Sequence, residues 1–117
     1  MISIVKGRLV PFAVSFTVTC LFFINVCDLI FGCGCRSLWS GADAMCNVHL
    51  SASRHCPFCS RGVAGYAAIM TLVSAPQFAV SMWTRWSRAA RIVVCLLLFP
   101  AAMLAVGLAA GAYDGYW

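Results

Sequence analysis

The sequence predicts an all-α integral membrane protein with three transmembrane helices and a Cys/His-rich extracytoplasmic loop between helices 1 and 2. Three observations carry that reading. Of 117 residues, 63% are hydrophobic and only 9% are charged, whereas a soluble domain is roughly half apolar and a quarter charged. A chain this short cannot hide so much apolar surface from water, so the bilayer is its natural solvent. Three apolar runs, residues 9–31, 63–83 and 92–112, each supply the roughly 20 residues that a helix needs to cross a hydrocarbon core of about 30 Å. Basic residues gather beside and between the runs, as topology signals do.

The chain divides accordingly as one membrane domain over residues 1–117. Helix 1 is expected over about 9–31, a Cys/His loop over 32–61, helix 2 over about 62–83, a basic cytoplasmic loop over 84–91 and helix 3 over about 92–112. Helices are required because a backbone in lipid must satisfy its own hydrogen bonds. Lys6 and Arg8 give the first run a positive start like that of a signal peptide. The run exceeds a signal core of about 7–15 residues and no A-x-A-like site follows it, so it is expected to stay as a helix.

In the second and third runs, Pro76 and Pro100 fall near mid-helix, where a missing N–H and a ring clash bend the axis. Gly107 and Gly111 form a G-x-x-x-G pair, with Ala101, Ala105 and Ala109 on a related face. Such small residues let membrane helices approach closely, either within the chain or against another subunit. Asn25, Thr71, Ser74 and Gln77 are the polar groups within the runs, and Asp28 lies about one turn from the end of the first. No charge sits at mid-membrane, so no proton relay or ion path is expected.

Orientation follows from charge. Lys6, Arg8, Arg85, Arg88 and Arg91 share one side, against Arg36, Arg54 and Arg61 with all three acids, Asp28, Asp43 and Asp114, on the other. The positive-inside rule then places the N-terminus in the cytoplasm and the Cys-rich loop and C-terminus outside, as in a bacterial inner membrane. Trp83 and Trp86 would mark one interface and Tyr113, Tyr116 and Trp117 the other, with Trp39 and Phe58 seating the loop. The net charge of +5 has no basic stripe interleaved with stacking aromatics, so nucleic acid is not an expected partner.

The loop carries the chemistry. Residues 33–60 hold five of the eight cysteines and both histidines. Cys46, His49, Cys56 and Cys59 form a C-x-x-H and a C-x-x-C pair, the two-residue gaps from which four-coordinate zinc sites are built. Cys33, Cys35 and His55 are possible additional ligands, and the extra thiolates would favour a softer ion such as copper(I). A second reading starts at "HCPFCSRG": Pro57 suits the first position of a helix, which would put Cys56 at the N-cap of helix 2. The helix dipole with Arg54, His55 and Arg61 would then activate Cys56 for attack, with Cys59 as the resolving thiol. A third reading is structural disulfides, the usual fate of cysteines outside the cytoplasm. Cys27 makes six cysteines near this side, which allow 15 pairings. Cys20 and Cys95, within helices, are expected to be ordinary packing residues.

The "CPFC" at the outer end of a membrane helix resembles the active pair of the quinone-linked disulfide-forming membrane proteins and the vitamin K epoxide reductase family. The resemblance covers under a tenth of the chain. It implies a thiol–disulfide oxidoreductase using Cys56 and Cys59, although those families have a four-helix core.

Hydrolytic and phosphoryl-transfer chemistry is not expected, because no nucleophile–base arrangement, phosphate loop or carboxylate pair is present. The chain reads first as a small accessory subunit of a larger membrane complex, with lipid and other membrane subunits as partners. Its loop would be a rigid cap held by disulfides or a metal. The alternatives are a zinc- or copper-binding membrane protein and the oxidoreductase.

Overall fold

A computed structural model covers residues 1–117. It consists of three helices and no strand: α1 (Ile2–Phe31), α2 (Gly62–Met82) and α3 (Arg88–Asp114). Each is long and apolar enough to cross a membrane. Two single-turn 3-10 segments, Leu38–Ser40 and Asn47–His49, lie in the long connection between α1 and α2. The bundle is elongated, 55 × 29 × 21 Å. At a rise of about 1.5 Å per residue, α1 alone spans about 45 Å, more than a hydrocarbon core. That length arises because α1 begins at Ile2, ahead of its apolar run. Its first turns carry Lys6 and Arg8. Large side chains such as Leu72, Phe78, Leu97, Leu104 and Leu108 point outward, as they do when the surroundings are as apolar as the core.

Polar groups tie the helices together where lipid offers no other partner. Near Pro11, the Ser81 hydroxyl of α2 accepts the N–H of Phe12 and donates to the carbonyl of Arg8. Those two backbone groups would pair with each other in an unbroken helix. Arg91 of α3 reaches the same point, donating to the Ser81 carbonyl at 2.6 Å. At mid-bundle Gln77 is fully buried. Its amide donates to the Thr19 hydroxyl at 3.0 Å and to the Cys95 carbonyl at 3.2 Å, and the Cys95 thiol donates back to the Gln77 carbonyl at 3.2 Å. Cys95 is therefore a polar partner as well as a packing residue, while Cys20 is exposed.

The small-residue seam divides in two. Gly107 packs against Ile30 of α1, where an added Cβ would lie 3.0 Å from the Ile30 side chain, and Gly111 packs under the ring of Trp117. The glycines therefore close a contact within the chain. Ala101, Ala105 and Ala109 remain exposed on the opposite face of α3.

Candidate metal centre

The loop end of the bundle is built by short-range backbone chemistry. Gly32 stops α1 in the left-handed conformation, φ 57°, with its N–H on the Asp28 carbonyl at 2.6 Å. Only glycine adopts that conformation without a steric cost. The chain then turns back at Gly34, φ 87°, whose N–H is held by the Asp28 carboxylate at 2.7 Å. Cys33 and Cys35 on either side of this turn bring their sulfurs to 3.4 Å. Backbone bonds from Asn47 N–H to the Cys33 carbonyl, 2.7 Å, and from Arg36 N–H to the Ala42 carbonyl, 2.8 Å, pin residues 42–47 alongside. Cys46 is thereby placed beside the turn, immediately before Asn47–His49.

Asn47 joins the remaining pieces. Its side-chain carbonyl accepts the Cys56 N–H at 2.8 Å, and its amide donates to the Tyr116 hydroxyl at 2.8 Å. Tyr116 in turn donates to the Phe31 carbonyl at 2.8 Å. Phe58 is fully buried, with its ring against Phe23 and Phe31, and Trp117 stacks on Phe31. Phe58 and Tyr116 thus pack into the loop end, while Trp117, stacked on Phe31, remains exposed. Trp39 stays exposed, edge-on to Phe22. Arg54 caps the end of the chain by donating to the carbonyls of Gly115 and Tyr116, and Arg61 pairs with Asp114 at 2.6 Å.

Six cysteines converge in this shell. Cys27, Cys33, Cys35, Cys46 and Cys56 are buried and Cys59 is half-buried. The sulfurs of Cys27 and Cys56 are 3.3 Å apart, those of Cys27 and Cys33 3.8 Å, and those of Cys35 and Cys59 3.8 Å. Three groups of ligand atoms lie mutually within 4.8 Å: Cys27 with Cys33 and Cys56, Cys27 with Cys35 and Cys59, and Cys33 with Cys35 and Cys46. Thiolates on one ion at a metal–sulfur distance of about 2.3 Å would stand about 3.8–4.0 Å apart. The spacing can therefore hold a metal, and it can equally close into disulfides.

Of the residues singled out by spacing, Cys46, Cys56, Cys59, Cys33 and Cys35 are all brought together, and Cys27 at the last turn of α1 joins them. His49 and His55 are exposed and belong to none of the three groups; the His55 ring nitrogen lies 3.2 Å from the Leu50 carbonyl instead. Two contributors carry no signal in the spacing. Asn47 acts as a hub, and the Tyr66 hydroxyl lies 3.2 Å from the Cys59 sulfur.

One expectation is corrected. Cys56 is not at the N-cap of α2, which begins at Gly62 after Arg61. Pro57 does open a helical turn, closed by the Ser60 N–H on the Cys56 carbonyl at 2.9 Å. Gly62 then takes φ 63°, which breaks that turn from the helix. The dipole of α2 is consequently not aligned on Cys56.

Charge is unevenly spread over the sulfurs. Hydrogen bonding with Cys27 holds the Cys33 and Cys59 thiols well below the ordinary range. Burial pushes Cys35 up, and Cys46 up to about 11.

Comparison with protein-family models, curated proteins and solved structures finds no match for this chain. The function must be read from the cysteine shell itself.

Proposed function

We propose that the chain is a membrane-anchored metal-binding protein that holds a soft ion, zinc or copper, among Cys27, Cys33, Cys35, Cys46, Cys56 and Cys59. One observation carries the reading: six sulfurs from three separate segments gather in one buried pool, several of them with more than one sulfur neighbour. A disulfide needs one partner per sulfur, and a staple stabilises most when it closes a long loop. Cys33 and Cys35, two residues apart, would close almost none. Thiolates, by contrast, select soft ions, and multiple neighbours are what shared coordination requires. With the N-terminus in the cytoplasm, the centre would lie on the extracytoplasmic side.

The test is elemental analysis of the full-length protein purified without chelator in mild detergent. Zinc or copper in stoichiometric amount is expected, and it should fall in Cys33→Ser. Metal-free protein with the six cysteines resistant to alkylation until reduced would overturn the proposal in favour of staples.

A second reading, accessory subunit of a larger membrane complex, is favoured by the exposed stripe Ala101, Ala105 and Ala109, which allows close approach of another helix. A stoichiometric membrane partner should then remain bound in mild detergent, and an Ala105→Leu variant should release it. A chain that runs alone sinks this reading.

A further inference from the structure

The three sulfur groups are not independent, and the way they overlap points to a particular centre. Cys27 belongs to the first and second groups, Cys33 to the first and third, and Cys35 to the second and third. Cys56, Cys59 and Cys46 each belong to one group only. Every pair of groups therefore shares one cysteine, and every group is completed by one unshared cysteine. A thiolate sulfur has lone pairs enough to bridge two metal ions. We infer that the six cysteines hold a trinuclear copper(I)–thiolate cluster, a six-membered ring of alternating metal and sulfur in which Cys27, Cys33 and Cys35 bridge and Cys56, Cys59 and Cys46 are terminal.

This inference rests on the metal-binding reading and adds nuclearity, oxidation state and the role of each sulfur. The coordination number selects the ion. Each group offers three sulfurs, and trigonal thiolate coordination is a preferred geometry of the d¹⁰ copper(I) ion. Zinc in structural sites is tetrahedral, so three zinc ions would need twelve metal–sulfur bonds, whereas three groups of three provide nine. Neither histidine is in reach to supply the missing ligands. Loading exchanges protons for metal without redox change: each thiol still protonated loses its proton as copper(I) arrives, and six thiolates with three copper(I) ions carry a net charge of minus three. Phe23, Phe31 and Phe58 share one buried cluster with Cys27, Cys33, Cys35, Cys46 and Cys56, which limits the access of water to those sulfurs.

The test is anaerobic titration of the reduced full-length protein in detergent with a copper(I) acetonitrile complex. Bound copper is measured after desalting, and X-ray absorption at the copper edge is recorded. Three copper per chain, three sulfurs around each copper and a copper–copper scattering shell are expected. The overlap also sets the response to substitution. Cys46→Ser opens one group and should leave two copper ions, Cys27→Ser opens two groups and should leave one, and Cys20→Ser should leave all three. Equal losses from Cys46→Ser and Cys27→Ser in variants with unchanged helical circular dichroism would overturn the bridging pattern. A single bound ion per wild-type chain, or no copper–copper shell, overturns the trinuclear centre while the metal-binding reading stands. Failure to bind copper or zinc at all removes both.

Discussion

The side-chain carbonyl of Asn47 accepts the backbone N–H of Cys56 at 2.8 Å, while its amide donates to the Tyr116 hydroxyl at 2.8 Å. One residue in the loop thereby sets the distance between the Cys33–Cys46 half of the sulfur shell and the Cys56–Cys59 half, and locks the C-terminal lid over both. Asn47→Ala leaves the Cys56 N–H and the Tyr116 hydroxyl without their partner. A buried unpaired donor costs about 1–3 kcal/mol. The expected outcome is a lower thermal midpoint and faster loss of metal to a chelator. Asn47→Asp, which keeps the acceptor for Cys56, should lose less than Asn47→Ala.

Gly34 carries φ 87°, and a Cβ there would lie 2.6 Å from the Met45 carbonyl oxygen. Gly34→Ala meets both the left-handed penalty of about 1–2 kcal/mol and a backbone clash, so Cys33 and Cys35 must separate. The protein should remain helical by circular dichroism but bind less metal on elemental analysis. Gly32→Ala is the control: φ is 57° with open space around the Cβ, so it should lose some stability yet keep its metal.

The Gln77 knot should be separable from the metal centre. Gln77→Leu deletes the bonds to Thr19 and Cys95, and interhelical side-chain bonds in membranes average about 0.6 kcal/mol with a maximum near 1.7. Denaturation in detergent should reveal a loss in that range. Metal stoichiometry should not change.

Acid should release the metal. Cys35 and Cys46 are pushed up by burial, so near neutral pH each holds a proton that the ion must displace. Two such protons make apparent affinity rise about a hundredfold per pH unit, which competition against a chelator at several pH values measures. The metal-free protein responds in the opposite sense. The Cys46 thiol is raised from 9.0 to about 11 in the fold, so its contribution to stability is complete below pH 9 and is lost as pH rises through about 11. Thermal midpoints of chelator-treated protein should therefore fall above pH 9.

Much of the fold is legible in the residues, because a run of about 20 apolar residues in lipid has one low-energy outcome. All three spans follow from that rule, while α1 and α3 begin ahead of their apolar runs, at Ile2 and Arg88. The cysteines that spacing marks gather in the structure, and the two histidines do not join them. Two-residue spacing marks Cys56 with Cys59, but it also marks Cys46 with His49, and spacing cannot say which way a side chain turns out of a 3-10 segment. Asn47 and Tyr116 left no trace because a hydrogen bond across 69 residues has no local pattern.

By itself the sequence determined the membrane class, the number of helices and the concentration of thiols at one end, since these depend on composition and local periodicity. The tertiary structure alone decided that Cys27 of α1 enters the shell, that His49 and His55 stay outside it, and that Gly62 separates Cys56 from the helix dipole. Those outcomes depend on left-handed glycine turns and on contacts between segments distant in the chain. Convergence of sulfurs is a property of the packed chain, and it is this convergence that gives a cysteine-rich loop the spacing to hold a metal.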